Sequence, residues 1–232
     1  MSPDSANQRP GRGSQREARR AARSQRAAKL PYIRRRIPNV ELLSSEAAEV
    51  IEHNAETILE EIGIEFRRDP ESLRLWREAG ADVRGERVRM PRGLCRQLIS
   101  TAPREFTLHA RNPERSVRFG GDATVFSPVG GPPFVSDLDR GRRPGTLEDA
   151  GNFVKLSQFF NTVHTAGGAS VDALDVHASV RHLHITRNKM VYSDKVPFVY
   201  STGRARLFDG LEIVRIARGV SWEQMQAEPS AY

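Results

Sequence analysis

The sequence lacks the features that define several large classes of protein. One cysteine, Cys95, stands alone among 232 residues, which excludes an internal disulfide framework and fits a reducing compartment, so a cytoplasmic location is expected. No run reaches the ~20 consecutive apolar residues of a membrane span. The Arg19-Arg20 pair is not followed by the apolar segment of an export signal. No Gly-x-Gly-x-x-Gly or Walker pattern is present, so nothing argues for a bound nucleotide.

What is present is unevenly spread. The net charge is +7, yet residues 1–40 hold eleven basic side chains against Asp4 and Glu17, a local excess of +9, and the remainder carries −2. Those first forty residues are rich in Arg, Ser, Gln, Ala and Gly, too poor in aliphatics to offset the entropy of ordering, and are expected to form a disordered basic arm. Such an arm can bind nucleic acid by counterion release, but without interleaved aromatics a merely solvated arm is the simpler reading. No nucleic-acid or membrane partner is therefore expected.

The body, with 38% hydrophobic residues overall, reads as two regions. From 41 to 121 the pattern is α+β. Ala47, Ile51, Ala55, Ile58 and Ile62 recur at helical spacing up to Gly63, and a second helix runs from Glu71 to Ala79. Val83 to Met90 reads as a small hairpin, Pro91 opens a helix to about Thr101, and Glu105–Ala110 with Ser116–Gly120 read as short strands. From 122 to 232 apolar β-rich runs alternate with helices. Strands are expected at Ala123–Ser127, Thr162–Ala166 and Val196–Ser201, and helices at Leu147–Phe160, His177–Met190 and Ala205–Arg218. Capping-box spacings at Thr146/Asp149 and Ser221/Gln224 mark two helix starts. Three β/α units in this order are the mark of a parallel α/β layer.

The run from Val125 to Asp149, VFSPVGGPPFVSDLDRGRRPGTLED, resembles the trimethylamine methyltransferase family. So do FVKLSQFFNTVHTAGG, DVHASVRHLH and EIVRIARGVSWEQMQAEPS, and the lead-in IPNVELLSSEAAEVIEHNAETILEEIGIEF is similar to the family's N-terminal helix and strand. The resemblance covers roughly residues 37 to 232. It implies a partial (β/α)8 TIM-type barrel of about three β/α units, preceded by the α+β region. The implied activity moves a methyl group from trimethylamine or a quaternary amine such as glycine betaine to cobalt. The corrinoid is not bound directly; a partner corrinoid protein carries it, and the full-length enzyme is expected to be a homo-oligomer. A closed barrel takes eight units and ~250 residues. The chain is accordingly expected to be the first part of a longer protein, and the competing reading is a truncated, non-catalytic piece acting at most as an interaction module.

In such a barrel the site lies at the C-terminal ends of the strands. A methylated ammonium offers no N–H in the quaternary case, so it calls for aromatic faces and a nearby carboxylate. Phe134 and Tyr200 are the aromatic candidates, Asp137 and Asp139 the acidic ones, and His164 a strand-end hydrogen-bonding group. Arg140, Arg142 and Arg143 of the DLDRGRRPGT loop are candidates for meeting the corrinoid protein. Each has a plainer reading, as packing residue, satisfied core histidine or solvated loop charge. The glycine pairs 130–131 and 167–168 fit either close ligand approach or tight turns. His177, His182 and His184 lack the i, i+4 spacing of a helical zinc motif and Cys95 has no histidine partner in sequence, so no metal site or nucleophile is expected from them.

Overall fold

A computed structural model of the chain describes residues 33–38 and 40–232. The greater part of the expected basic arm lies outside the described residues. Its first described residues form a strand, β1 (Ile33–Arg34), where disorder was expected. The chain divides into two compact units, one of residues 36–104 and one of residues 33–35 with 105–232. Residues 105–121, expected with the lead-in, pack with the later unit.

The first unit begins with α1 (Ser45–Thr57), capped by the Ser44 hydroxyl on the Ala47 N–H, and continues as a π-helical turn over Ile58–Ile62. Gly63 stops it with φ +72, and a Cβ there would stand 2.2 Å from the Val88 carbonyl oxygen, so the close approach demands glycine. Strand β2 (Ile64–Glu65), helix α2 (Pro70–Glu78), β3 (Asp82–Arg84), β4 (Arg87–Arg89) and α3 (Leu94–Ile99) follow. The strands form an antiparallel sheet in the order β2-β4-β3, with Val88 opposite both Ile64 and Val83. Ala81, Val88, Met90 and Leu94 make its core, closed by Leu59, Trp76 and Cys95. The helical spacing in α1 is real, but Ile51, Ile58 and Ile62 of its apolar face remain exposed.

The second unit opens with the antiparallel pair β5 (Glu105–Leu108) and β6 (Val117–Gly120). Strand β7 (Ala123–Thr124) pairs antiparallel with β1, held also by the Arg34–Asp122 ion pair. Next comes a hairpin of β8 (Phe134–Asp137) and β9 (Gly141–Pro144), where sequence suggested an irregular loop. Its turn is built by the Asp137 carboxylate, which accepts the Asp139 and Arg140 N–H groups, and by Gly141 at φ +64. A charged, locally bonded turn hides the β alternation on either side of it.

Helix α4 (Leu147–Phe159) starts at the expected capping box of Thr146 and Asp149. It leads to β10 (Thr165–Gly167), then α5 (Arg181–Tyr192), β11 (Val196–Pro197), α6 (Arg204–Arg218) and α7 (Trp222–Ala227). Helix α5 begins four residues later than expected because the His177 ring bonds Ser179 and the chain turns on itself before the helix, a local competitor to helical pairing. Strands β10 and β11 pair in parallel, Thr165 opposite Val196. Beyond them Tyr232 donates its N–H to the Pro197 carbonyl and accepts from the Val199 N–H, so the two bonds straddle Phe198 as a parallel pair does. Upstream, the His164 N–H donates to the Phe126 carbonyl. The architecture is mixed α/β with several small sheets, and its parallel layer runs from β10 through β11 to Tyr232.

Apolar burial fixes the helices onto this layer. Met190, Val199, Val214 and Met225 form one cluster, and Ala169, Ala173 and Ile185 another. At ~25 cal/mol per Å², each fully buried aliphatic side chain contributes about 1.5–3 kcal/mol. No helix is long and apolar enough to cross a membrane among the described residues.

Candidate functional site

A cavity of about 400 Å³ opens at the C-terminal ends of β10 and β11. Three aromatic side chains wall it: Phe198, Tyr200 and Tyr232. Phe198 meets Tyr200 edge to face at 6.3 Å between centroids and Tyr232 likewise at 5.7 Å. Two of the three follow directly from β11, and the third is placed by the parallel pairing of Tyr232 with that strand. Asp172 is the one carboxylate in the lining, and Ser127 the one aliphatic hydroxyl.

Tyr232 is held by its own hydroxyl, which lies 2.5 Å from Ser127 Oγ and 2.7 Å from Thr165 Oγ1, while Thr165 donates to Ser127 at 2.7 Å. Thr165 is fully buried, so this triangle of hydroxyls closes on itself and fixes the ring as a wall. The Tyr200 hydroxyl is buried without a well-formed hydrogen bond, and burial, then the Asp172 charge, push its pKa up to about 12. Asp172 faces the Arg181 guanidinium at 4.0 Å.

The rest of the lining is backbone. Pro128, Gly130, Gly131, Gly168 and Ala169 bring two chain segments together, tied by the Gly131 N–H to the Ala169 carbonyl at 2.8 Å. Gly167 sits at φ +75, and a Cβ there would meet Pro128 at 2.8 Å. The glycine pairs thus serve a crossing of two backbones at the cavity edge, a third use beside the two weighed from sequence.

Of the residues singled out from sequence, Tyr200 lines the cavity. His164 does not; it is buried, its Nδ1 accepts the Phe126 N–H at 3.0 Å, and its ring stacks on Phe126. Phe134, Asp137, Asp139, Arg140, Arg142 and Arg143 all lie on the β8–β9 hairpin or its turn, outside the lining. There Arg142 covers the Phe134 ring at 3.7 Å, and Arg140 pairs with Asp137 at 3.3 Å. Arg143 clamps Asp149 through both terminal nitrogens, 2.5 and 2.7 Å, and reaches Asp137 at 3.2 Å. That guanidinium, more than the Thr146 hydrogen bonds, holds the Asp149 carboxyl well below the usual carboxylate range. Leu138 at the hairpin tip is wholly exposed.

Phe198, Tyr232, Asp172 and Ser127 were not singled out from sequence. Phe198 is two residues before Tyr200 on the same strand end, and that spacing was a readable signal. Tyr232 carried none, since nothing local tells that it enters the sheet. His182 bonds Asp209 at 2.8 Å, and among the described residues no three His, Cys, Asp or Glu side chains gather as a metal site.

Aromatic faces with one carboxylate, at the carboxyl ends of parallel strands, have the chemistry to receive a small organic cation: such rings attract a cation through their quadrupoles and need no N–H from it. The sequence profile of the family described as trimethylamine methyltransferase (MTTB) matches residues 9–232. The chain belongs to the trimethylamine methyltransferase family. It is 40% identical over 183 residues to a glycine betaine methyltransferase of Desulfitobacterium hafniense (strain Y51), covering 79% of this chain and 38% of that protein. To a proline betaine:corrinoid methyltransferase of Eubacterium limosum it is 25% identical over 168 residues, covering 71% of this chain and 34% of the relative. The chain thus spans just over a third of the length of these curated relatives.

Proposed function

We propose that this chain supplies the ammonium-binding part of an enzyme that moves a methyl group from a quaternary amine of the betaine type to the cobalt of a corrinoid carried by a separate protein. The observation that carries the reading is the cavity walled by Phe198, Tyr200 and Tyr232 with Asp172 as its carboxylate. The names of the two relatives support it: one acts on glycine betaine, the other on proline betaine with a corrinoid. Parallel pairing of β10, β11 and Tyr232 supports the further reading that these are neighbouring staves of a (β/α) barrel.

The cavity's side chains do not fit a resident corrinoid. Its lining holds no histidine or thiol to ligate cobalt, and its volume of about 400 Å³ suits a small cation rather than a macrocycle. The corrinoid is therefore treated as a methyl acceptor that approaches from outside. In the reaction the C–N bond breaks with its electron pair left on nitrogen, which becomes a neutral tertiary amine, and the methyl carbon bonds to the low-valent cobalt through the metal's own electron pair. This chain's part is to hold the ammonium with one methyl facing outward. The rings and Asp172 stabilise the positive charge while it persists, and orientation lowers the barrier by limiting wasted collisions. The exposed hairpin with Leu138, Arg140 and Arg142 is the surface assigned to the corrinoid protein.

Calorimetric titration of the chain with glycine betaine, tetramethylammonium and the neutral 3,3-dimethylbutan-1-ol tests the reading. The two cations should bind more tightly than the alcohol, and the Phe198→Ala/Tyr232→Ala pair should weaken them by about tenfold or more. Equal binding of alcohol and cations, or no loss in the paired variant, would refute it.

A further inference from the structure

Behind the aromatic walls lies a group that the proposed reaction leaves unused. Lys189, on α5, is fully buried. Its Nζ donates to the Phe198 carbonyl at 2.7 Å and stands 5.3 Å from the Phe198 ring centroid and 5.7 Å from that of Tyr200. It is absent from the cavity lining while both rings belong to it, so the two rings lie within reach of the amine and of an occupant of the cavity alike.

We propose that Lys189 is a positioning residue for cation binding: by carrying or lacking a proton behind Phe198 and Tyr200, its amine sets how strongly those rings attract an ammonium in the cavity. The inference rests on the cation-binding reading of that cavity. A protonated amine draws on the same ring quadrupoles that the substrate needs, and it repels the substrate's charge through a poorly polarisable layer. A neutral amine does neither, yet keeps its hydrogen bond to the Phe198 carbonyl and so keeps the wall in place.

The surroundings leave this amine without a counter-charge. On α4, Asp149 is taken by Arg143, and Lys155 lies over Tyr192. His182 on α5 and Asp209 on α6 bond each other, and Glu212 on α6 is held by Arg215. Next to β11, Lys195 is spent on three carbonyls, and beyond Tyr200 Asp172 faces Arg181. Burial, the one cause acting, pushes the Lys189 pKa down to about 7. The proton is thus gained and lost near neutral pH.

The test is the dissociation constant of tetramethylammonium for the whole chain, measured from pH 6 to pH 9, beside that of 3,3-dimethylbutan-1-ol. Binding of the cation should tighten by about tenfold across the range, the size expected for two unit charges roughly 10 Å apart in a protein interior. Binding of the alcohol should not change, which separates a charge effect from loosening of the fold. Lys189→Met, of similar length and uncharged, should bind the cation equally tightly at pH 6 and pH 9. A flat profile for tetramethylammonium in the parent chain overturns the role of Lys189 while leaving the cation cavity standing. The same slope in Lys189→Met also overturns it. Failure of the cation to bind at any pH overturns both.

Discussion

Lys195 offers a strong energetic test of how the parallel layer is held. The residue is 1% exposed, and Nζ donates to the carbonyls of Ser157, Phe160 and Val163 at 2.5, 2.9 and 2.5 Å. Those three carbonyls belong to the last turn of α4 and the segment entering β10, where a helix end leaves acceptors to be satisfied, and that of Phe160 also accepts the Val163 N–H. Burial and then the Arg115 charge lower the pKa to about 8, so at pH 7 the group is an ammonium with three N–H donors for three acceptors. Lys195→Met keeps the volume and removes all three bonds. The Phe160 carbonyl keeps the Val163 N–H, and the other two, left unpaired, cost about 1–3 kcal/mol each, so the expected loss is about 2–5 kcal/mol. That is a large part of a normal domain stability of roughly 5–15 kcal/mol. Urea unfolding followed by tryptophan fluorescence gives the number, and hydrogen exchange should show residues 157–163 losing protection first. A loss below about 1 kcal/mol would mean that water or backbone shifts satisfy these carbonyls and that the cationic cap is dispensable.

Three further outcomes follow from the same contacts. Gly167→Ala forces a side chain onto φ +75 and against Pro128 at 2.8 Å, and should destabilise by roughly 2 kcal/mol or more, read as a lower thermal midpoint; an unchanged midpoint would refute the backbone crossing. Tyr232→Phe removes the hydroxyl shared with Ser127 and Thr165 and should cost about 1–2 kcal/mol of stability. The ring stays, so tetramethylammonium affinity should move less than about threefold, and a larger loss would give the hydroxyl a direct part in binding. The Arg143 guanidinium depresses the Asp149 pKa, so its stabilising effect is complete above the unfolded value of 3.8 and is lost as pH falls below it. Asp149→Asn should lower the urea midpoint at pH 7 and flatten its decline in acid; an unaltered acid limb would show that other carboxylates govern it.

Local structure was largely legible in the residues. The caps at Thr146 and Ser221, the stop at Gly219 and the apolar spacing of α4 and α6 are short-range signals, because a helix end is satisfied by atoms within a turn of it. Where a side chain competed nearby, the reading slipped: His177 with Ser179 delayed α5, and Asp137 folded an expected loop into a hairpin. The family, too, was legible, since long runs such as VFSPVGGPPFVSDLDRGRRPGTLED carry far more information than any spacing of charges.

The sequence by itself therefore determined the helices, several of their ends, the gathering of positive charge in the first forty residues, and the kinship. Tertiary structure alone decided which aromatics face one another. Tyr232 reaches the cavity because its backbone pairs beside Phe198, and Lys189 and Lys195 are buried because neighbouring helices close over them. Those placements join residues far apart in the chain, and neither propensity nor periodicity, which act over a few residues, contains that information.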